Sequence, residues 1–301
     1  MSGVSGTGRA PDGGMDAAGR PGERRESAEA TSRGERTREH AASVGPAGAT
    51  GDTDPTRRPE AAGGAADATS PETMREQHIT VPRTARYYTL GRAGPELGQV
   101  WFVCHGYGQL AARFIRRFRG LDNGRRLIVA PEALSRFYLG DHGGPHGPES
   151  RVGATWMTRE DRLREIDDYV RYLDLLHDHV MAGVDRASVR VVVLGFSQGT
   201  ATVARWVTLG RVRPDELILW AGGFPPDLDL QRAAERLAGV RVRIVAGEQD
   251  RLVTPHALEA EIGRLRAHGL EPELIRFDGG HHLDPDTLGR LADEGGGGRP
   301  G

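Results

Sequence analysis

Between residues 98 and 277 short apolar runs alternate with longer amphipathic stretches, and that alternation sets the expected architecture. Segments 100–104, 126–130, 189–196, 216–220, 240–246 and 271–277 concentrate Val, Ile, Leu and aromatic residues and read as strands. Two of them, 100–104 and 189–196, are apolar almost without interruption, as in strands covered on both faces. Helices are expected over 111–119, over 159–180, after Ser197 as far as Val207, and over 229–237, 255–268 and 285–292. Within 159–180, Leu163, Ile166, Val170, Leu173 and Leu176 form a stripe at helical spacing that should face the core. Thr158 and Asp161 would cap its start as a T-x-x-D box. Upstream, 77–81 and 85–90 alternate around Pro82-Arg83 and suggest two antiparallel edge strands, while 131–157 reads as a long loop. The fold class expected is α/β, a mostly parallel sheet flanked by helices on both faces. Only residues 221–228 separate strand 216–220 from the next helix, too little for a large cap domain, so the pocket should be open.

The pattern fails at both ends of the chain. Residues 1–73 are rich in Gly, Ala, Arg, Glu, Ser, Thr and Pro; the first isoleucine is Ile79, the first aromatic Tyr87 and the first leucine Leu90. Such a segment cannot offset its ordering entropy by burial and is read as a disordered tail. The glycine-rich stretch 295–301 is read the same way, which leaves 75–294 as one folded domain. Across all 301 residues the net charge is −2, which argues against nucleic-acid or membrane-surface binding driven by bulk charge. A single cysteine excludes an internal disulfide framework. No apolar run suits a signal peptide or a stable membrane insertion, and the expected address is cytoplasmic.

Chemistry enters at residues 191–201, where a buried strand runs into Gly195-Phe196-Ser197-Gln198-Gly199 and then into helix-compatible residues. Strand, tight turn and helix around G-x-S-x-G is the setting of a nucleophile elbow. Ser197 would project from a strained turn, with glycines on either side allowing strand and helix to approach. Three further groups fall at strand carboxyl ends, where open α/β sheets collect their chemistry. These are His105-Gly106-Tyr107-Gly108, Gly247-Glu248-Gln249-Asp250 and Asp278-Gly279-Gly280-His281-His282. Serine needs an imidazole to take its proton, so His281 is the candidate base, with its neighbour His282 as the alternative. Asp250 would orient that imidazole, with Glu248 and Asp278 as competitors. Oxyanion donors are expected from the backbone N–H of Gln198 and from the loop after residue 104, through Tyr107. Nucleophile, acid and base then follow in the order of an α/β-hydrolase fold.

On these four motifs the chain resembles the phospholipase/carboxylesterase family of serine α/β-hydrolases, which includes acyl-protein thioesterases. The likeness covers about residues 98–290, and the middle segment, 130–138 through 156–160, resembles a bacterial subgroup. Gln109 stands where many relatives carry Asp, and the loop before Trp156 does not resemble the thioesterases closely. The resemblance implies an enzyme cleaving small or short-chain carboxylic esters through an acyl-serine intermediate, without a cofactor. Lysophospholipase or acyl-protein thioesterase activity is the enzymatic alternative, and a non-catalytic binding protein on the same fold is the alternative of another class. The partner expected is a small-molecule ester; the oligomeric state is left open, a homodimer included. Trp156 is expected either to wall the acyl pocket or to anchor its loop. His105 is read as structural and Cys104 as a buried, inert thiol. Asp141, His142 and His146 lack a further ligand cluster, so no metal is expected. The arginines of 113–119 read as a solvated face, with the grip on an anionic substrate as the other option.

Overall fold

The computed structural model describes residues 74–140 and 146–294. Residues 1–73 and 295–301, expected as tails, lie outside the described residues, as do Asp141 and His142. The compact unit that begins at Glu76 carries a seven-stranded sheet in the order β1-β3-β2-β6-β7-β8-β9. Its strands are β1 (Tyr87–Leu90), β2 (Gln99–Cys104), β3 (Arg126–Pro131), β6 (Arg190–Phe196), β7 (Glu216–Trp220), β8 (Arg241–Gly247) and β9 (Glu273–Phe277). All neighbouring pairs are parallel except β1 with β3. The helices are α1 (Ala111–Phe114), continued by a 3₁₀ segment (Ile115–Leu121), α2 (Arg162–Met181), α3 (Gln198–Leu209), α4 (Leu230–Arg236), α5 (Pro255–Arg266) and α6 (Pro285–Glu294).

Period-two alternation splits the core in two. Val100, Phe102, Val191 and Val193 face α2, α3, α4 and α5. Trp101, Val103, Val192 and Leu194 face α1, the 3₁₀ segment and α6. Both faces of β2 and β6 are therefore covered, which is why these strands are apolar throughout. The direction of strand addition reverses between β2 and β6, because β3 lies on one side of β2 and β6 on the other. The carboxyl ends of those two strands flank the crevice where α/β sheets bind ligands. No helix among the described residues is long and apolar enough to cross a membrane.

Four expectations change. Residues 77–81 form no strand: Ile79 and Val81 are exposed, so their alternation has no buried face to pair against. The expected loop 131–157 contains a two-stranded hairpin, β4 (Ser135–Tyr138) with β5 (Val152–Thr155). Its strands of four residues are too short for periodicity to separate them from a loop. Helix α2 starts without the T-x-x-D box, because Asp161 sits at φ 44° with no side-chain cap. The Glu165 carboxylate instead reaches back to the Thr158 N–H and to the Ser135 hydroxyl. On the same helix Leu163 is exposed while Ile166, Leu173 and Leu176 are buried, so the core stripe begins one turn later.

Candidate active site

Strand β6 delivers Ser197 into a backbone conformation that side chains rarely adopt, φ 54° and ψ −117°. Its N–H donates to the Trp220 carbonyl at 2.9 Å, so the turn is fastened to the neighbouring strand. The flanking glycines are dictated by contact. A Cβ on Gly195 would lie 2.2 Å from the Gly199 carbonyl oxygen, and one on Gly199 would lie 2.3 Å from that of Cys104. Helix α3 begins at Gln198, so its positive end faces the serine.

Two loops converge on Ser197 from β8 and β9. His281 Nε2 lies 2.9 Å from Ser197 Oγ, and His281 Nδ1 lies 2.8 Å from Asp250 Oδ2. The loops meet backbone to backbone, and a Cβ on Gly247 would lie 2.3 Å from the Gly279 carbonyl oxygen. Asp250 is buried, and its Oδ1 accepts the N–H groups of Leu252 and Val253. Burial pushes its carboxyl up, but the bonds from His281 and those two amides outweigh this and hold it below the usual range. An ionised Asp250 requires the His281 tautomer with the proton on Nδ1, which leaves Nε2 free to accept from the serine hydroxyl. The competitors are engaged elsewhere or face solvent. Asp278 accepts from the Gln249 side chain at 2.6 Å, Glu248 is exposed, and the His282 ring packs edge-on against Phe277.

The loop after β2 completes the crevice. His105 is fully buried, with Nδ1 2.8 Å from the Gly106 carbonyl and Nε2 3.1 Å from the Ala133 N–H. Desolvation lowers its pKa, and the neutral ring serves as donor on one side and acceptor on the other. The Gln109 side chain accepts the Gly106 N–H at 2.9 Å, and the Gly108 N–H donates to Ala154. Among the described residues no protein acceptor meets the backbone N–H of Tyr107 or of Gln198. The sequence missed the hairpin that supports both. Ala154 bridges Gln109, while the Gln198 side chain bonds Thr155, Met157 and the Trp156 N–H.

A family model described as serine hydrolase (FSH1) matches residues 126–287, more than half of the chain. The chain belongs to this family. No curated protein matches it in sequence. Among solved structures it is similar to Zea mays acyl-protein thioesterase 2, with a TM-score of 0.52 and 16% identity over 70% of this chain and 97% of that one. A Bacillus cereus carboxylesterase gives 0.52 and 14% over 70% and 93%. A phospholipase/carboxylesterase from Dyadobacter fermentans gives 0.51 and 16% over 72% and 99%. At such identities the likeness establishes a shared fold, the α/β-hydrolase fold.

In this serine hydrolase Trp156 does not line the pocket. It is buried, its ring packs on His105 and Tyr169, and its Nε1 donates to the His105 carbonyl at 2.8 Å. Trp156 is thus the anchor of its loop, and the wall reading is corrected. A cavity of about 380 Å³ instead opens beside His281 and Phe196, bounded by Gly108, Leu139 and Leu283. Tyr107 presents an exposed ring that packs on Phe137 of β4. Cys104 is buried beneath the elbow, and desolvation pushes its thiol well up, out of the reactive range. Among the described residues one group with metal-ligand spacing occurs, Glu76, His78 and Asp161, all exposed and sharing no residue with the Ser197 site.

Proposed function

We propose that the enzyme cleaves carboxylic esters through an acyl-serine intermediate, with Ser197 as nucleophile, His281 as general base and then acid, and Asp250 as the orienting carboxylate. The observation that carries this is the continuous relay from Ser197 Oγ through His281 to Asp250, at 2.9 and 2.8 Å. As Oγ bonds to the carbonyl carbon, its proton passes to His281 Nε2, and Asp250 stabilises the resulting imidazolium. The carbonyl oxygen becomes an oxyanion, held by the N–H groups of Tyr107 and Gln198, each worth about 2.7–4 kcal/mol in such sites. Collapse breaks the ester bond, and Nε2–H protonates the departing alcohol. Water then repeats the sequence, giving its proton to Nε2 and releasing the acid and Ser197.

Because the fold is shared with a carboxylesterase and an acyl-protein thioesterase, an oxygen ester or thioester is the first bond to test. A cavity of about 380 Å³ is at the small end for ligand sites and favours short acyl or alcohol groups. Residues 75–294 are proposed as the whole catalytic unit. The test is fluorophosphonate labelling followed by p-nitrophenyl esters of increasing acyl length. Labelling and turnover in the wild type, both lost in Ser197→Ala, support the reading. A folded wild type that neither labels nor turns over an ester overturns it and favours a binding protein.

A further inference from the structure

The cavity beside the proposed base has a wall the chemistry so far leaves unused. Arg113 and Arg117, from α1 and the 3₁₀ segment after it, and Arg151, just before β5, all line it, and none of the described lining residues is acidic. Among the described residues no carboxylate pairs with any of the three. Elsewhere in the chain arginines do find partners: Arg126, Arg186, Arg190, Arg205, Arg241 and Arg243 all pair with Asp or Glu. Guanidiniums collected on one concavity repel each other and gain most from an oxyanion placed among them. The concentration is local, because the chain as a whole carries a net charge of −2. The same cavity touches His281, Gly108 and Gln109, so a group held there is only a few bonds from a carbonyl at Ser197.

We propose that the substrate is an ester bearing a carboxylate or phosphate, which Arg113, Arg117 and Arg151 hold in this cavity while Ser197 attacks. The inference rests on the hydrolase reading above and adds the class of its substrate. Planar guanidinium forks match both oxyanions, so the shared chemistry is the recognised feature. The three side chains are exposed, so each contributes modestly, and the set is expected to give about tenfold in kcat/KM.

The experiment compares matched probes at low ionic strength. p-Nitrophenyl hemiglutarate is set against p-nitrophenyl hexanoate, and p-acetoxybenzoate and p-acetoxyphenyl phosphate are each set against p-tolyl acetate. At least one anionic probe should exceed its neutral partner by about tenfold, with the preference shrinking as salt is added. The carboxylate and phosphate arms tell which oxyanion is preferred. In the triple variant R113Q/R117Q/R151Q the ratio should fall to about one, whereas Arg116→Gln, outside the cavity, should keep the wild-type ratio. Neutral esters hydrolysed with no anionic preference, or a preference that survives the triple variant, overturns this proposal alone. Absence of both turnover and fluorophosphonate labelling overturns the hydrolase reading and this proposal together.

Discussion

Ser197 and its partners combine an unusual backbone with ordinary side-chain distances. The serine is held at positive φ, while His281 and Asp250 lie in loops whose close approach depends on Gly247. Three substitutions separate the roles. His281→Ala should lower kcat roughly 10⁴-fold or more, whereas His282→Ala should change it little, since that ring packs on Phe277. The reverse order in steady-state assays would reassign the base. Asp250→Asn keeps the shape but removes the charge that fixes the tautomer. A fall of roughly 10³- to 10⁴-fold in kcat with a small change in Tm is expected. An unchanged rate would sink the assignment. His105 makes a prediction about stability. Its folded pKa is depressed, so its contribution is complete above the unfolded value of about 6.5 and is lost as pH falls through the folded pKa. Protonation would set an Nε2–H against the Ala133 N–H. Wild-type Tm should therefore drop as pH falls below about 6.5, and His105→Gln should flatten that drop; parallel slopes would exclude His105 as the source. At this scale the residues legible in the sequence were those marked by glycine or by strand ends. The elbow glycines announced Ser197, and the Gly279-Gly280 step announced His281. Trp156 could not be assigned, because an aromatic before a helix has the same local pattern whether it lines a pocket or plugs a core.

The β4–β5 hairpin braces the loops of the proposed site. Its Ala154 pairs with Gln109, its Thr155 meets the Gln198 side chain, and its Gly153 touches the Gly108 backbone. A Cβ on Gly153 would lie 2.5 Å from the Gly108 carbonyl oxygen, so Gly153→Val must push the hairpin away from the 105–108 loop. A displacement on the ångström scale should cost roughly 10²-fold in kcat, for a stability loss of about 1–3 kcal/mol. Gly147→Ala has open space around it and serves as the control. Equal rates in the two variants would show that the hairpin does not position the loop. The hairpin escaped the sequence because each strand is only four residues long and the stretch between them is rich in Gly and Pro. The cap of α2 escaped for another reason. The expected box lay within the sequence Thr158–Asp161, but Asp161 turned left-handed and Glu165 took over from within the helix. Strands β2, β6 and β7 were legible because double-sided burial leaves no polar position in them beyond the first residue.

On the scale of the whole molecule the sheet has two chemically different ends. The carboxyl ends of β2, β6, β8 and β9 gather the Ser197 site. The opposite end carries an ion cluster built on Arg243, which is fully buried and pairs with Glu216, Glu273 and Glu294. Glu216 is buried as well, and that burial pushes its carboxyl up even with Arg190 and Arg243 beside it. Removing one member of a buried set leaves its partner charge uncompensated. Arg243→Ala should therefore destabilise the fold by about 3 kcal/mol in urea unfolding, with kcat per folded molecule retained. A stability within experimental error of wild type would mean the cluster is energetically idle. None of this cluster was anticipated, since arginines and glutamates at strand starts read as solvated charges until α6 folds over them.

Cys104 lies at the junction of the two sheet halves, at the end of β2 and packed under Gly199. It is the chain's single cysteine and is fully buried, with its thiol held protonated. An alkylating reagent can reach it only when the packing around β2 opens, so the rate of thiol modification counts such openings. The protein thus contains a built-in clock for local unfolding at the crevice, readable by mass alone and without an introduced label.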